Sequence, residues 1–173
     1  MLFRSSIEYA KRIQLNLLAL TELLKNNLPE HFILFKPKDI VSGDFYWVDE
    51  KDGKVYFAAV DCTGHGVPGA FMSLLNMSKL SECINEKRIH KPGLILDAVR
   101  TELIKVLNAG DSAQNENNEV KDGMDAVLIR FDPETLVLQY AAANNPFYIV
   151  RNGQMTVCPC DKMPVGKSPL ENQ

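Results

Sequence analysis

The chain has 173 residues, of which 46% are hydrophobic, and a formal net charge of -3 at pH 7, so we expect one globular domain with an appendage. No apolar run approaches the roughly 18 residues of a membrane-spanning helix and the N-terminus lacks a signal peptide's apolar core, so we expect a cytoplasmic protein without a membrane segment. A slightly acidic chain without a concentrated basic face is a poor partner for nucleic acid.

The first predicted element is an amphipathic helix from Ser5 to about Lys25. Its apolar residues recur alternately at three and four positions: Ala10, Ile13, Leu17, Leu20 and Leu24. This spacing fits a coiled-coil seam that would form a homodimer, and it fits equally a surface helix packed on its own domain. Asparagines and Pro29 end the helix, because proline cannot continue one. We therefore predict a helical segment over 1–28 and a domain over 29–173.

Strands are predicted next over 32–35 and 45–48, followed by a turn and a return strand over 54–60. Asp44 precedes one strand of this hairpin and Asp61 follows its partner. Because antiparallel strands bring these positions to the same end, the two carboxylates should converge, and hard divalent cations prefer such oxygen ligands. For Asp44 the alternative is an ordinary turn aspartate after a glycine.

A glycine-rich turn follows Asp61, and its glycines at 64, 66 and 69 allow the backbone to approach a charged ligand closely. Pro68 suits the first turn of a helix that runs to about Glu86. The same glycines match the dinucleotide fingerprint Gly-x-Gly-x-x-Gly. That fold needs a parallel strand soon after the helix, whereas a second helical stretch follows here over 94–107. The order of strand, acid, turn and helix therefore favours a site for metal and phosphate.

The rest of the chain alternates turns and strands. The polar stretch over 109–122 predicts a mobile loop, and strands are predicted over 124–131, 136–142, 147–150 and 155–157, with a tight hairpin at Asn152-Gly153. Separate runs of antiparallel strands with helices between them predict an α+β fold. The four cysteines are expected to be reduced thiols, with a soft-metal pair at Cys158 and Cys160 as the alternative.

Four motifs, in this order along the chain, resemble the SpoIIE/RsbU-like branch of the metal-dependent serine/threonine protein phosphatases (PPM, type 2C). They are Val41-Ser42-Gly43-Asp44-Phe45-Tyr46-Trp47, Asp61-Cys62-Thr63-Gly64-His65-Gly66, Lys121-Asp122-Gly123-Met124-Asp125, and Ala142-Ala143-Asn144-Asn145-Pro146 followed by Asp161-Lys162-Met163-Pro164-Val165-Gly166. The resemblance implies an αββα fold, an antiparallel β-sandwich flanked by helices. The stretch from Ser6 to Gln14 resembles the linker helix that follows a sensor domain in such proteins.

The resemblance also implies a site and an activity. Asp44 and Asp61 match aspartates that hold two divalent cations, Mn²⁺ or Mg²⁺, with Asp61 bridging them and the backbone carbonyl of Cys62 as a further ligand. His65 would either protonate the leaving oxygen, since imidazole titrates near neutrality, or only fill the turn. For Asp122 and Asp125 structural roles are expected, with an approach to the cations as the alternative. The implied reaction is hydrolysis of phosphoserine or phosphothreonine on a regulatory protein, such as an anti-sigma-factor antagonist.

The sequence departs from the family's pattern near its C-terminus. It ends at Gln173, before the stretch where relatives carry a further strand pair and a Ser/Thr-Asp-Gly motif whose aspartate is another metal ligand. We therefore expect a phosphatase domain that is incomplete at this end. A catalytically weak or inactive regulatory module of the same fold is the alternative.

Overall fold

The computed structural model describes residues 2–18, 21–108 and 122–168. The helices are α1 (Leu2–Leu18), α2 (Thr21–Asn27), α3 (Gly66–Asn85) and α4 (Pro92–Asn108). The strands are β1 (Phe45–Lys51), β2 (Lys54–Cys62), β3 (Gly123–Asp132), β4 (Val137–Ala143), β5 (Phe147–Arg151), β6 (Gln154–Cys158) and β7 (Val165–Gly166). None of the described helices is long and apolar enough to cross a membrane.

Two antiparallel sheets form the framework. The larger has the order β1-β2-β3-β4, with β7 paired to the start of β3, and the smaller is the hairpin β5-β6. Residues with positive φ turn two of the hairpins: Asp52 and Gly53 (52° and 69°), and Asn152 and Gly153 (52° and 73°). Such pairs match the twist of the strands that they join. The predicted α+β class with antiparallel sheets and helices is confirmed. Because β2 and β3 are antiparallel, the dinucleotide alternative is wrong.

Helices α3 and α4 cover one face of the larger sheet. Both present apolar residues at helical spacing, and the core that they form with the strands contains side chains that are fully buried: Tyr56, Leu80, Ile84, Ile95, Val99, Leu103 and Leu128. Removing a buried leucine of this kind costs about 2–5 kcal/mol. This core holds β2 and β3 in place, and their ends carry the polar residues described below.

The predicted strand over 32–35 is wrong. This stretch lies outside all strands, and Phe32 and Leu34 are 91% and 77% exposed. A strand needs a hydrogen-bonded neighbour, and no described strand pairs with this segment. It borders a cavity of about 1210 Å³ that the larger sheet and β5 also line. The predicted loop over 109–122 lies outside the described residues except for Asp122.

The predicted N-terminal helix is two helices, α1 and α2, with residues 19–20 outside the described part. Gln14 and Leu18 of α1 are buried against the domain, whereas Ile13 and Leu17 of the predicted seam are 44% and 51% exposed. Leu24 of α2 packs with buried side chains of β1 and β2. Dimerisation through α1 and the boundary between 28 and 29 stay predictions.

Gln14 connects α1 to the loop before β1. Its Nε2 donates to the carbonyl oxygen of Ser42 at 2.6 Å and to Oγ of Ser73 at 2.9 Å. Its Oε1 accepts from the backbone N–H of Ser42 at 2.9 Å. The side chain therefore satisfies both backbone groups of a residue that lies two positions before Asp44.

Candidate metal and phosphate site

The two loops that carry the predicted acids meet through glycine backbone. A Cβ at Gly43 would lie 2.7 Å from the carbonyl oxygen of Gly64, and a Cβ at Gly69 would lie at the same distance of 2.7 Å from that oxygen. Contacts this short exclude any side chain, so glycine alone permits the approach. Gly64 also has a φ of 90°, a conformation that L side chains rarely adopt. The loop before β1 is thereby held against the turn after β2.

This contact brings Asp44 and Asp61 together at one edge of the sheet. Phe45 pairs with Val60, so the aspartates flank a registered pair on adjacent strands. Partial desolvation raises the pKa of Asp61. A hydrogen bond that protonated Asp61 donates to Asp44, together with the negative charge of Asp44, raises it further. Two neighbouring carboxylates repel each other unless a proton or a cation lies between them. Both residues are exposed at this edge, where a cation can reach them.

The same edge continues across β3 and β4. Asp125 pairs with Asp61 in the β2–β3 register, and Asn144, directly after β4, donates from Nδ2 to Oδ1 of Asp125 at 2.8 Å. Sequence reasoning placed Asp125 in a structural role and gave Asn144 no role of its own. The signal available for Asn144 was its position two residues after the strand predicted over 136–142. Asp122 is half-buried one residue before β3.

The thiol and the carbonyl oxygen of Cys62 lie in different surroundings. Its thiol is buried and accepts a hydrogen bond from Nδ2 of Asn76 at 3.2 Å. Burial raises the pKa of this thiol to about 12, so it stays protonated and is a poor metal ligand. The carbonyl oxygen of Cys62 would lie 3.2 Å from a Cβ at Gly43, so it faces the loop that carries Asp44. The backbone oxygen, and not the sulfur, is therefore the group that lies near the aspartates.

His65 occupies the N-cap position of α3, and its side chain is 71% exposed. It makes no capping hydrogen bond to the helix. Instead its Nδ1 lies 2.9 Å from Oδ2 of Asp39, a residue of the loop before β1. Sequence reasoning missed Asp39, because no pattern in the chain shows which acid of a loop faces a distant turn.

The donor set at the edge fits part of a site for a hard divalent cation. It offers the carboxylates of Asp44 and Asp61 and the carbonyl of Cys62, which are oxygen ligands that Mg²⁺ and Mn²⁺ prefer. Among the described residues, no basic side chain contributes to the shift of the pKa of Asp61. In the described ranges, no group of three or more histidine, cysteine, aspartate or glutamate side chains is close enough to hold a metal.

Known proteins resemble this chain in sequence and in fold. The model of the family "Stage II sporulation protein E (SpoIIE)" matches residues 51–170, a stretch that begins after Asp44 and includes Asp61 and His65. The chain belongs to this family. The resemblance found in its motifs is therefore confirmed. No curated protein sequence matches the chain.

Solved structures show the same fold. The SiaA-PP2C domain of Pseudomonas aeruginosa superposes with a TM-score of 0.81 and 30% identity over 95% of this chain, which spans 63% of that chain. A SpoIIE family protein of Thermanaerovibrio acidaminovorans has a TM-score of 0.50 and 14% identity, with 65% and 51% of the two chains covered. A chain from a bacterial stressosome structure has a TM-score of 0.50 and 19% identity, with 71% and 55% covered. The last two comparisons concern the fold alone.

Proposed function

We propose that this chain is a metal-dependent protein serine/threonine phosphatase domain. The observation that carries the proposal is the pairing of Asp44 and Asp61 at an exposed edge, fixed by glycine contacts, in a member of the SpoIIE family. The raised pKa of Asp61 shows that keeping both carboxylates ionised is unfavourable without a counter-charge. Its exposure at a sheet edge favours a role in binding a cation.

The residues at this edge account for the chemistry of phosphate ester hydrolysis, whose barrier an enzyme must lower by on the order of 20 kcal/mol. Asp44, Asp61 and the carbonyl of Cys62 would hold Mn²⁺ or Mg²⁺. When bound, such a cation lowers the pKa of water and neutralises phosphoryl oxygens. The glycine turn lets backbone approach the phosphate, and the exposed imidazole of His65 is the proton donor for the leaving oxygen.

The proposed substrate is phosphoserine or phosphothreonine on a bacterial regulatory protein, such as an anti-sigma-factor antagonist. An upstream sensor domain is the proposed source of regulation. Both proposals rest on the likeness of the motifs to the SpoIIE/RsbU-like branch. The exposed face of α1 that contains Ile13 and Leu17 is the proposed contact of a homodimer.

Calorimetric titration with Mn²⁺ tests the site directly. We expect the unaltered chain to bind Mn²⁺, and we expect Asp61→Asn to abolish binding because it removes one carboxylate of the pair. Asp97→Asn is the matched control, since it makes the same charge change at an exposed position of α4. Unchanged affinity in Asp61→Asn would remove Asp61 from the site.

A second candidate function is a regulatory module that keeps the fold with little or no catalysis. It is favoured by the absence of a third metal-ligating side chain near the pair among the described residues. Mn²⁺-dependent hydrolysis of p-nitrophenyl phosphate separates the two candidates. Turnover that disappears with Asp61→Asn supports the enzyme, whereas Mn²⁺ binding without turnover supports the module.

A further inference from the structure

Asp39 and His65 form a contact that the proposed metal site does not require. Oδ2 of Asp39 lies 2.9 Å from Nδ1 of His65, and both side chains are exposed, at 42% and 71%. A Cβ at Gly66 would lie 3.5 Å from the same Oδ2, so the carboxylate also sits against the first residue of α3. The positive end of a helix favours a carboxylate in this place.

The contact joins the same two segments that bring the metal-site aspartates together. Asp39 and Asp44 belong to the loop before β1, while Asp61 and His65 belong to the end of β2 and the turn after it. Gly43 fixes these segments against each other at backbone distance. The position of His65 relative to Asp61 is therefore set both by the short turn between them and by the carboxylate of Asp39.

The hydrogen bond also determines which ring nitrogen carries a hydrogen. An ionised carboxylate only accepts hydrogen bonds, so Nδ1 of His65 must be the donor. Fixing the hydrogen on Nδ1 leaves Nε2 as the nitrogen that faces away from Asp39. The large exposure of this side chain makes Nε2 accessible to a phosphorylated protein at the sheet edge.

We propose that Asp39 is a positioning residue that orients His65 for protonation of the leaving group. This inference rests on the proposed phosphatase function and deepens it. In the step, the bond between a water oxygen and phosphorus forms, and the bond between phosphorus and serine Oγ breaks. The electron pair of the broken bond stays on Oγ, which takes the proton from Nε2 of the imidazolium. The products are serine and inorganic phosphate, and one proton of the water passes to solvent.

Two substrates that differ in their leaving group test this role. The alkoxide of serine is a strong base that needs a proton as the bond breaks, whereas p-nitrophenolate leaves readily without one. With Mn²⁺ present, we expect Asp39→Asn to lower kcat for a phosphoserine peptide about tenfold or more. For p-nitrophenyl phosphate, we expect kcat of the variant to stay within about twofold of that of the unaltered chain. KM for both should stay unchanged, because Asp39 does not touch the phosphate. Asp97→Asn again serves as the control for the charge change.

A double-mutant cycle shows whether Asp39 acts through His65. If it does, Asp39→Asn has no further effect on peptide hydrolysis in a His65→Gln background. An equal loss in that background, or equal losses on both substrates, would overturn the inference and indicate a loop-stabilising role. If the unaltered chain hydrolyses neither substrate, the proposed function fails.

Nitrogen-15 NMR of the imidazole rings provides a readout that needs no activity. The ring signals of His65 are identified by their loss in His65→Gln. We expect the neutral ring of His65 to carry its hydrogen on Nδ1 in the unaltered chain and to move toward the Nε2–H form in Asp39→Asn. The same tautomer in both proteins would overturn the positioning role, whatever the kinetic result.

Discussion

The two ends of the β2–β3 pair carry opposite electrostatic arrangements. At the start of β2, Lys54 Nζ lies 2.9 Å from Oδ2 of Asp132, and the hydrogen bond from Lys54 holds the pKa of Asp132 well below its usual range. At the other end, partial desolvation and the neighbouring Asp44 raise the pKa of Asp61. The first end contains its own counter-charge, whereas at the second end no basic side chain of the described residues contributes to the pKa of Asp61. One strand pair therefore separates a group that stabilises the fold from a group suited to binding a cation.

Of the substitutions that distinguish the two ends, Gly43→Ala should have the largest effect, and it acts at the end that carries Asp44 and Asp61. The new Cβ would lie 2.7 Å from the carbonyl oxygen of Gly64, so the loop that carries Asp44 must move away from the turn after β2. We expect a loss of stability of about 1–3 kcal/mol in urea unfolding, together with loss of Mn²⁺ binding.

Gly93→Ala is the control for that substitution, because a Cβ at Gly93 meets nothing within 4 Å. Gly93 lies in the first turn of α4, where alanine is tolerated, so we expect unchanged or slightly greater stability. If Gly43→Ala bound Mn²⁺ as the unaltered chain does, glycine packing would not be what holds Asp44 in place.

Asp132→Asn should have the next largest effect, at the opposite end of the strands. The depressed pKa means that the carboxylate stabilises the folded state above its ordinary pKa of 3.8, and that this contribution is lost as the pH falls. The variant should therefore unfold at lower temperature than the parent at pH 7, and the gap should narrow in acid. Glu134→Gln is the control, since its carboxylate is 84% exposed and 3.7 Å from Lys54.

Asp61→Asn should change stability in the opposite direction when no metal is added. A raised pKa means that the folded state binds a proton more readily, so stability falls as the pH rises above 3.8. With EDTA present, the variant should melt a few degrees above the parent at pH 7, and the difference should vanish near pH 3. Mn²⁺ should reverse the order. A variant less stable than its parent in EDTA would show that the carboxylate pair is not strained.

The elements that local patterns determine were predicted well. The predicted turn before the strand over 54–60 and the predicted tight hairpin at Asn152-Gly153 both occur, and the apolar spacing of α3 and α4 shows the faces that enter the core. The strand over 32–35 was predicted wrongly, because an apolar run does not reveal whether a hydrogen-bonding neighbour exists. Strand β7 has two residues, too few for any periodicity.

The candidate site was predictable only where the chain itself fixes geometry. The aspartates at 44 and 61 follow from hairpin pairing, because antiparallel register alone places them at the same end. The position of Asp39 depends on how the loop over 28–44 folds back onto the turn after β2, which no local propensity determines. Asn144 reaches Asp125 because β4 pairs with β3, a contact between distant parts of the chain.

The hydrogen bonds of Gln14 couple the position of helix α1 to that of the loop that carries Asp44. Both backbone groups of Ser42 depend on this one side chain, and both partners are buried. Withdrawing the helix would leave these groups unpaired, at about 1–3 kcal/mol for each one that stays buried. The loop and the helix should therefore detach together. A rotation or displacement of α1 would therefore move Ser42, and with it the carboxylate of Asp44 two residues further along the chain.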